Sequence, residues 1–508
     1  MSIDSSLFQS VCATAREATV LLTACETLEW DERTGMPVGA GEYRAEQVSA
    51  LRSAVHRIQT DAAFGEKLQQ LSEQVVDLDP SSDQAATVLG LQRDFIRNQK
   101  LPSDLVGRVA AARTRGQQIW DQAKAANDFG MFRDALIEMI ELQRETGQRM
   151  AEGTDRGAYD ALLDTYEPDA RAADLQRVFD GLREPLVELI AEVRQAPLQP
   201  DQSILKRDFP IDAQRAFSHY VAQKVGFDFD RGRLDETSHP FCTTLGPSDC
   251  RILTRFDQNW LPCGLFGTLH EAGHGMYEQG LRTKDWFGLP PGSYASLGVH
   301  ESQSRLWENQ VGRSRSFWEW LYPEAQKRFP GALSDVSLDD FYFAVNGVQP
   351  SLIRVEADEA TYNLHILIRF DLERQLIEGK LSVDDLPAAW TARYESDLGI
   401  RPESDAKGVL QDVHWSAGLF GYFPTYTLGN LIGAQLFDAA HDEIGDLNDQ
   451  FANGEFGSLL QWMQQNVHQP GKTVYSNQLV QQATGHELTH DHLMNYLRTK
   501  LSACYQLS

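Results

Sequence analysis

"LQRVFDGLREPLVELIAEVRQ" occupies residues 175–195. Its apolar residues return at steps of three and four, with charged residues between them, the pattern of a helix that buries one face. The same texture runs through "YRAEQVSALRSAVHRI" (43–58) and "FRDALIEMIELQRETGQRMA" (132–151). Stretches such as "LDPSSDQ", "YEPDARAAD" and "APLQPDQS" punctuate these runs and read as helix connections. The exception is "TSHPFCTTLGPSDCRILTRF" (237–256), rich in Thr, Phe and Ile and broken by Pro and Gly, which predicts a short β-sheet. No internal repeat, low-complexity tract or long polar linker interrupts the chain. One mainly α body spanning residues 1–508, with a small sheet, is the expectation.

The bulk properties narrow the function. With 508 residues, 42% apolar and 23% charged, the chain has the composition of a soluble globular protein and can bury a substantial core. A formal charge of −27 argues against a nucleic-acid partner, which wants a basic face. No apolar run approaches bilayer length, and the N-terminus lacks the basic start of a secretory signal. Six cysteines lie far apart without a C-x-x-C pair, which suggests reduced thiols in a cytoplasmic protein.

The sheet is followed directly by "GTLHEAGHGMYEQG" (267–280), with His270, Glu271 and His274 in the pattern H-E-x-x-H. Residues at i and i+4 share one helix face, so two imidazoles can reach one ion while the glutamate takes a proton from the water that the ion activates. A second copy occurs in "ATGHELTHDHL" (483–493), with His486, Glu487 and His490. Surroundings separate the two. The first is flanked by Thr268, Leu269, Ala272, Gly273, Gly275 and Met276, as suits a helix under a cleft. The second lies between Gly485 and Asp491 and reads as a solvated helix start.

Catalytic zinc usually takes three protein ligands and leaves one position open. No glutamate follows His490. After His274, "SYASLGVHESQSRLWENQVGRS" (293–314) supplies Glu301 and Glu308 on a predicted helix; Glu301 begins it after an apolar loop and can turn inward. Glu278 is a poor ligand, because eight residues along one helix is roughly 12 Å of rise. The longer pattern H-E-x-x-H-x-x-G-x-x-H fails at Tyr277 and Gly280. A two-helix site with a glutamate ligand is expected.

"HPF" (239–241), "DCRILTR" (249–255), "HEAGH" (270–274), "HESQSRLWEN" (300–309), "IRVEAD" (353–358) and "GVLQDVHW" (408–415) occur in this order. Together with "LEWDERTGMPVGAGEYRAEQ" (28–47), "YDALLDTYEPDA" (159–170) and "FGYFPTYTLGN" (420–430), they resemble the carboxypeptidase Taq family of zinc metallocarboxypeptidases. The resemblance implies a helical, saddle-shaped body with a deep active-site groove, assembled as a homodimer. It implies His270, His274 and Glu301 as metal ligands, Zn²⁺ as cofactor with Co²⁺ as a possible substitute, and Glu271 as catalytic base. The chain departs from the family's D-x-R-x-T pattern at Leu253, although Thr254 follows.

The expected activity is hydrolysis of the C-terminal bond of peptides, with broad specificity. Arg251 and Arg354 lie inside two of the resembling motifs, and a planar guanidinium suits a free C-terminal carboxylate. Asp249, Glu356 and Asp358 are expected to orient them. His414 and Tyr422 or Tyr426 would supply the oxyanion donor. The alternative is a zinc oligopeptidase that cuts internally. A non-enzymatic helical protein with structural zinc fits less well, since such sites usually hold four ligands rich in Cys.

Overall fold

The computed structural model describes residues 3–507. It is mainly helical, and its sheet is confined to β1 (Gly232–Glu236), β2 (Phe241–Gly246) and β3 (Asp249–Thr254), as the 237–256 stretch predicted apart from the added strand β1. The described residues group into two compact units.

The first unit takes the chain up to Asn98 together with Pro200–Val345 and Ile432–Leu488. Its N-terminal helix, Ser5–Thr34, starts where the Asp4 carboxylate accepts from the amides of Ser6 and Leu7. Val11 of that helix packs with Phe64, Leu68, Leu71 and Val88 in one apolar cluster. The sheet order is β1-β3-β2, with β1 parallel and β2 antiparallel to the central strand. Ile252 and Leu253 of β3 are fully buried.

Beside β3 runs the helix Leu261–Gly280, which carries the first H-E-x-x-H. It buries Leu265, Leu269, Ala272, Met276 and Tyr277, so this helix belongs to the interior. Two glycines set its neighbours. A Cβ on Gly275 would lie 2.5 Å from the Phe227 ring and 3.0 Å from the Ile252 side chain, so glycine admits close packing on β3. A Cβ on Gly273 would lie 2.5 Å from the Gln303 carbonyl oxygen, so glycine lets the helix Leu297–Arg305 approach backbone to backbone. That approach brings Glu301 to the two histidines.

The second unit comprises Gln99–Gln199, Asn346–Leu431 and the residues from Thr489 onward. The helices Ser103–Ala126 and Phe129–Ala151 follow one another with a turn at Asn127, whose φ of 55° closes the first. The helix Ala172–Gln195 buries Leu175, Phe179, Leu182, Leu186, Leu189, Ile190 and Val193, the three-and-four periodicity read from its sequence. Phe179 packs edge-on to Phe370 at 5.2 Å. Phe370 lies on the helix Thr361–Glu378, which is buried nearly all round and carries Arg369 and Glu373 in its interior.

Candidate metal centre and a second cluster of charged residues

The i, i+4 spacing places His270 and His274 on one face of their helix. Nε2 of His270 lies 3.7 Å from Glu301 Oε2, and Nε2 of His274 lies 3.5 Å from the same oxygen. The three ligand atoms fall within 4.8 Å of one another, the one such group of three metal-ligating residues found among the described residues. Two ligands at about 2.1 Å from a tetrahedral ion lie about 3.4 Å apart, so this spacing suits a single divalent cation. Two imidazole nitrogens and a carboxylate oxygen are also the donor set of many catalytic zinc sites. The residues present fit a divalent metal ion.

Outer partners hold two of these three residues, His270 and Glu301, in place. His270 Nδ1 and Glu308 Oε2 are hydrogen-bonded at 3.0 Å, which leaves Nε2 free to ligate. Arg305 donates from Nε to Glu301 Oε1 at 2.7 Å and from Nη1 to Glu308 Oε2 at 3.2 Å. Ser304 donates to Glu301 Oε2 at 3.2 Å. Burial alone would raise the Glu301 carboxyl, but the Arg305 guanidinium and the histidines outweigh it and hold Glu301 well below the usual carboxylate range. Burial drives His274 down to about 3, and the neighbouring His300 adds to this, so its ring is neutral and able to ligate. Where Leu297–Arg305 ends, the chain runs on as one π-helical segment, Leu306–Val311, which carries Glu308. Such widened turns recur at functional sites.

Glu271 follows His270 and is buried, and its Oε2 has no hydrogen-bond partner among the described residues. Burial, with Glu301 and Glu308 nearby, pushes its carboxyl up to about 7 against the opposing pull of His270. An orphaned carboxylate oxygen beside a three-ligand triangle is what a proton acceptor for an activated water requires.

The second H-E-x-x-H is built differently. His486 and Glu487 are exposed and lie outside any helix, between Ser476–Thr484 and Asp491–Tyr505. His490 is the residue just before the latter helix, half-buried, with Nε2 3.6 Å from Asp491. Without a helix under them, these histidines do not share a face.

Arg251 lies on β3, where Nε and Nη2 donate to the two carboxylate oxygens of Asp249, each at 2.9 Å. Its guanidinium stacks over the Trp30 ring at 4.1 Å. The expected partnership of Arg251 with Asp249 is present.

Within the second unit, Arg354, His414 and Tyr426 come together. Asp412 Oδ1 accepts from Arg354 Nε at 3.0 Å and Nη2 at 2.8 Å, and its Oδ2 accepts from Arg369 Nε at 2.6 Å. Arg354 Nη1 donates to the Tyr362 hydroxyl at 3.0 Å. His414 Nε2 and the Tyr426 hydroxyl are 3.3 Å apart, whereas the Tyr422 ring is tilted at 52° to the His414 ring with centroids 5.6 Å apart. Two guanidiniums share one carboxylate, which leaves the cluster with an excess of positive charge.

The expectation that Glu356 and Asp358 orient Arg354 is corrected by these contacts. Asp358 instead caps the helix Thr361–Glu378, accepting from the amides of Ala360 and Thr361. Asp412, two residues before His414, takes the role. Asp412 stands in "GVLQDVHW" (408–415), where its place two residues before His414 is the one signal the sequence carries for it. Arg305 carried a signal as well, four residues after Glu301 and therefore on its face.

The sequence matches the family described as carboxypeptidase Taq (M32) metallopeptidase over residues 10–501. It is 43% identical over 505 residues to thermostable carboxypeptidase 1 of Thermus thermophilus, covering 98% of this chain and 99% of that protein. Carboxypeptidase 1 of Bacillus subtilis is 38% identical over 484 residues, covering 95% and 96%. The crystal structure of the M32 carboxypeptidase from Deinococcus radiodurans superposes with a TM-score of 0.95 at 39% identity, covering 99% of this chain and all of that one.

Proposed function

The chain belongs to the carboxypeptidase Taq (M32) family of metallocarboxypeptidases, and from that premise we propose that it is a zinc enzyme releasing single residues from the C-termini of peptides with broad specificity. The observation that supports this reading best is the convergence of His270 Nε2, His274 Nε2 and Glu301 Oε2 beside the unpartnered Oε2 of Glu271. A divalent ion held there would lower the pKa of a water and polarise the scissile carbonyl. Zn²⁺ suits the donor set, and Co²⁺ can replace it.

Glu271 acts as general base and then returns the proton to the leaving amine. Burial raises its carboxyl above the ordinary value, which favours uptake of a proton. Arg251 and Arg354 are assigned to the substrate carboxylate. For Arg354, Asp412 and Tyr362 engage three of the five N–H groups, which leaves two that can donate to a carboxylate. His414, with Tyr426 or Tyr422, is assigned to the developing oxyanion. The contact between His414 and Tyr426 favours Tyr426 of the two.

One catalytic body over residues 1–508, assembled as a homodimer in the cytoplasm, completes the reading. No helix among the described residues is long and apolar enough to cross a membrane. The test is product identification on a peptide panel with free and amidated C-termini, with and without chelator. Stepwise release from free ends only, lost on chelation, supports the exopeptidase. Internal cuts in amidated peptides would replace it with the oligopeptidase reading.

A further inference from the structure

The two metal-ligating imidazoles are supported unequally. His270 meets a carboxylate directly, whereas His274 meets another imidazole: His300 Nδ1 lies 2.5 Å from His274 Nδ1. His300 Nε2 lies 2.9 Å from Glu278 Oε1, and the Thr244 hydroxyl donates to Glu278 Oε2 at 3.0 Å. We propose that Glu278 and His300, anchored by Thr244, are positioning residues that set the orientation and donor strength of His274, so that this chain reaches its second histidine ligand through a carboxylate–imidazole–imidazole relay. The inference rests on the reading of His270, His274 and Glu301 as metal ligands.

One choice fixes every proton in the relay. If His274 ligates through Nε2, its proton must sit on Nδ1 and be donated to His300 Nδ1. His300 Nδ1 is then the acceptor, so its own proton sits on Nε2 and is donated to the Glu278 carboxylate. Both Glu278 oxygens are occupied, one by His300 and one by Thr244. A terminal negative charge makes each imidazole in the series a better donor of its lone pair to the next centre.

The ring between the two ends is held in place. His300 packs edge-on against Tyr294 at 5.0 Å and against Tyr277 at 5.2 Å, and the Tyr277 hydroxyl accepts from the Ala295 amide. The side chains of His274, His300 and Glu278 are 15%, 13% and 12% exposed, so water competes little for their hydrogen bonds. The anchor also has a local cause. The register of β2 against β3 slips directly after Thr244, between Thr244 and Gly246, and a slip of this kind re-aims side chains at a strand end. Glu278, too far along its helix to ligate, thus acts at one remove.

The test uses the full chain stripped of metal and titrated with Zn²⁺ against a chromophoric chelator, and with Co²⁺ to read its d–d absorption. Glu278→Ala and His300→Phe are expected to weaken Zn²⁺ binding about 10–100-fold and to shift the Co²⁺ spectrum. Glu278→Gln, which keeps an acceptor but loses the charge, should recover part of the affinity, and Thr244→Val should give a smaller loss than Glu278→Ala. Unchanged melting of the metal-free variants shows that the fold is intact. Zn²⁺ affinity and Co²⁺ spectrum of Glu278→Ala within twofold of the unmutated chain would overturn the relay. If the unmutated chain binds neither ion while His270→Ala behaves identically, the metal-site reading fails, and the relay with it. Should His300→Phe not fold, Glu278→Gln and Thr244→Val carry the same comparison.

Discussion

Glu308 Oε2 is hydrogen-bonded to His270 Nδ1 at 3.0 Å, on the opposite edge of the ring from the nitrogen that faces Glu301. The carboxylate therefore fixes which nitrogen carries the proton and which is left to ligate. Burial alone would raise Glu308, but Arg305 and His270 hold it low, at about 2, so it stays ionised across the neutral range. Glu308→Ala should lower Zn²⁺ affinity about 10–100-fold, as measured by chelator competition, while Glu308→Gln loses less.

Glu271→Gln should keep the metal and lose turnover. The amide cannot accept a proton, and removal of a positioned general base costs about 10²–10⁴-fold in rate. Metal content by mass spectrometry and kcat on a free-ended peptide are the two readouts. The carboxyl must be ionised to act, so kcat/KM of the unmutated enzyme falls as pH drops, and the variant's residual activity should lack that limb. Glu487→Gln, in the exposed second copy, should leave both readouts unchanged.

Asp412→Ala should destabilise the protein. Arg369 has a fully buried side chain and Arg354 one that is 8% exposed, and Asp412 is their shared carboxylate. Removing it leaves two buried guanidiniums facing each other, and breaking a buried ion pair from one side costs about 3–5 kcal/mol. Chemical denaturation measures the loss. Arg354→Ala should instead raise KM for peptides with a free C-terminus, read by steady-state kinetics on the folded variant.

Glu373 gives a pH signature in stability. It accepts from the Tyr159 hydroxyl at 2.7 Å, the Gly421 amide at 3.1 Å and Trp415 Nε1 at 3.2 Å, yet burial pushes its carboxyl up to about 8 from the ordinary 4.5. The folded chain holds this proton where the unfolded chain has released it, so the folded state binds more protons between about 4.5 and 8. Its contribution is fully present below the lower value and is lost as pH rises through the upper one. At most one proton is involved, so the slope is no steeper than about 1.4 kcal/mol per pH unit. Thermal melts of Glu373→Gln across this range should show a flatter dependence.

Much of this was legible in the sequence because it is local. The spacing of His270 and His274 implies a shared helix face, and the periodicity of residues 175–195 implies the buried face that Leu175 to Val193 form. The different settings of the two H-E-x-x-H copies were legible too, since apolar neighbours mark an interior helix and Gly485 with Asp491 marks a helix boundary. Partnerships between distant segments were not legible. Nothing in the spacing shows that Glu278 meets Thr244, 34 residues earlier, or that Arg354 pairs with Asp412, 58 residues later. These depend on which backbones can touch, as Gly273 permits against Gln303. Periodicity cannot encode that.

The most direct test is anomalous diffraction at the zinc edge from crystals of the unmutated chain grown with Zn²⁺. The structure predicts one strong peak about 2.0–2.2 Å from His270 Nε2, His274 Nε2 and a Glu301 oxygen. A vacant triangle at saturating Zn²⁺, or a principal peak beside His486 and His490 instead, would contradict it.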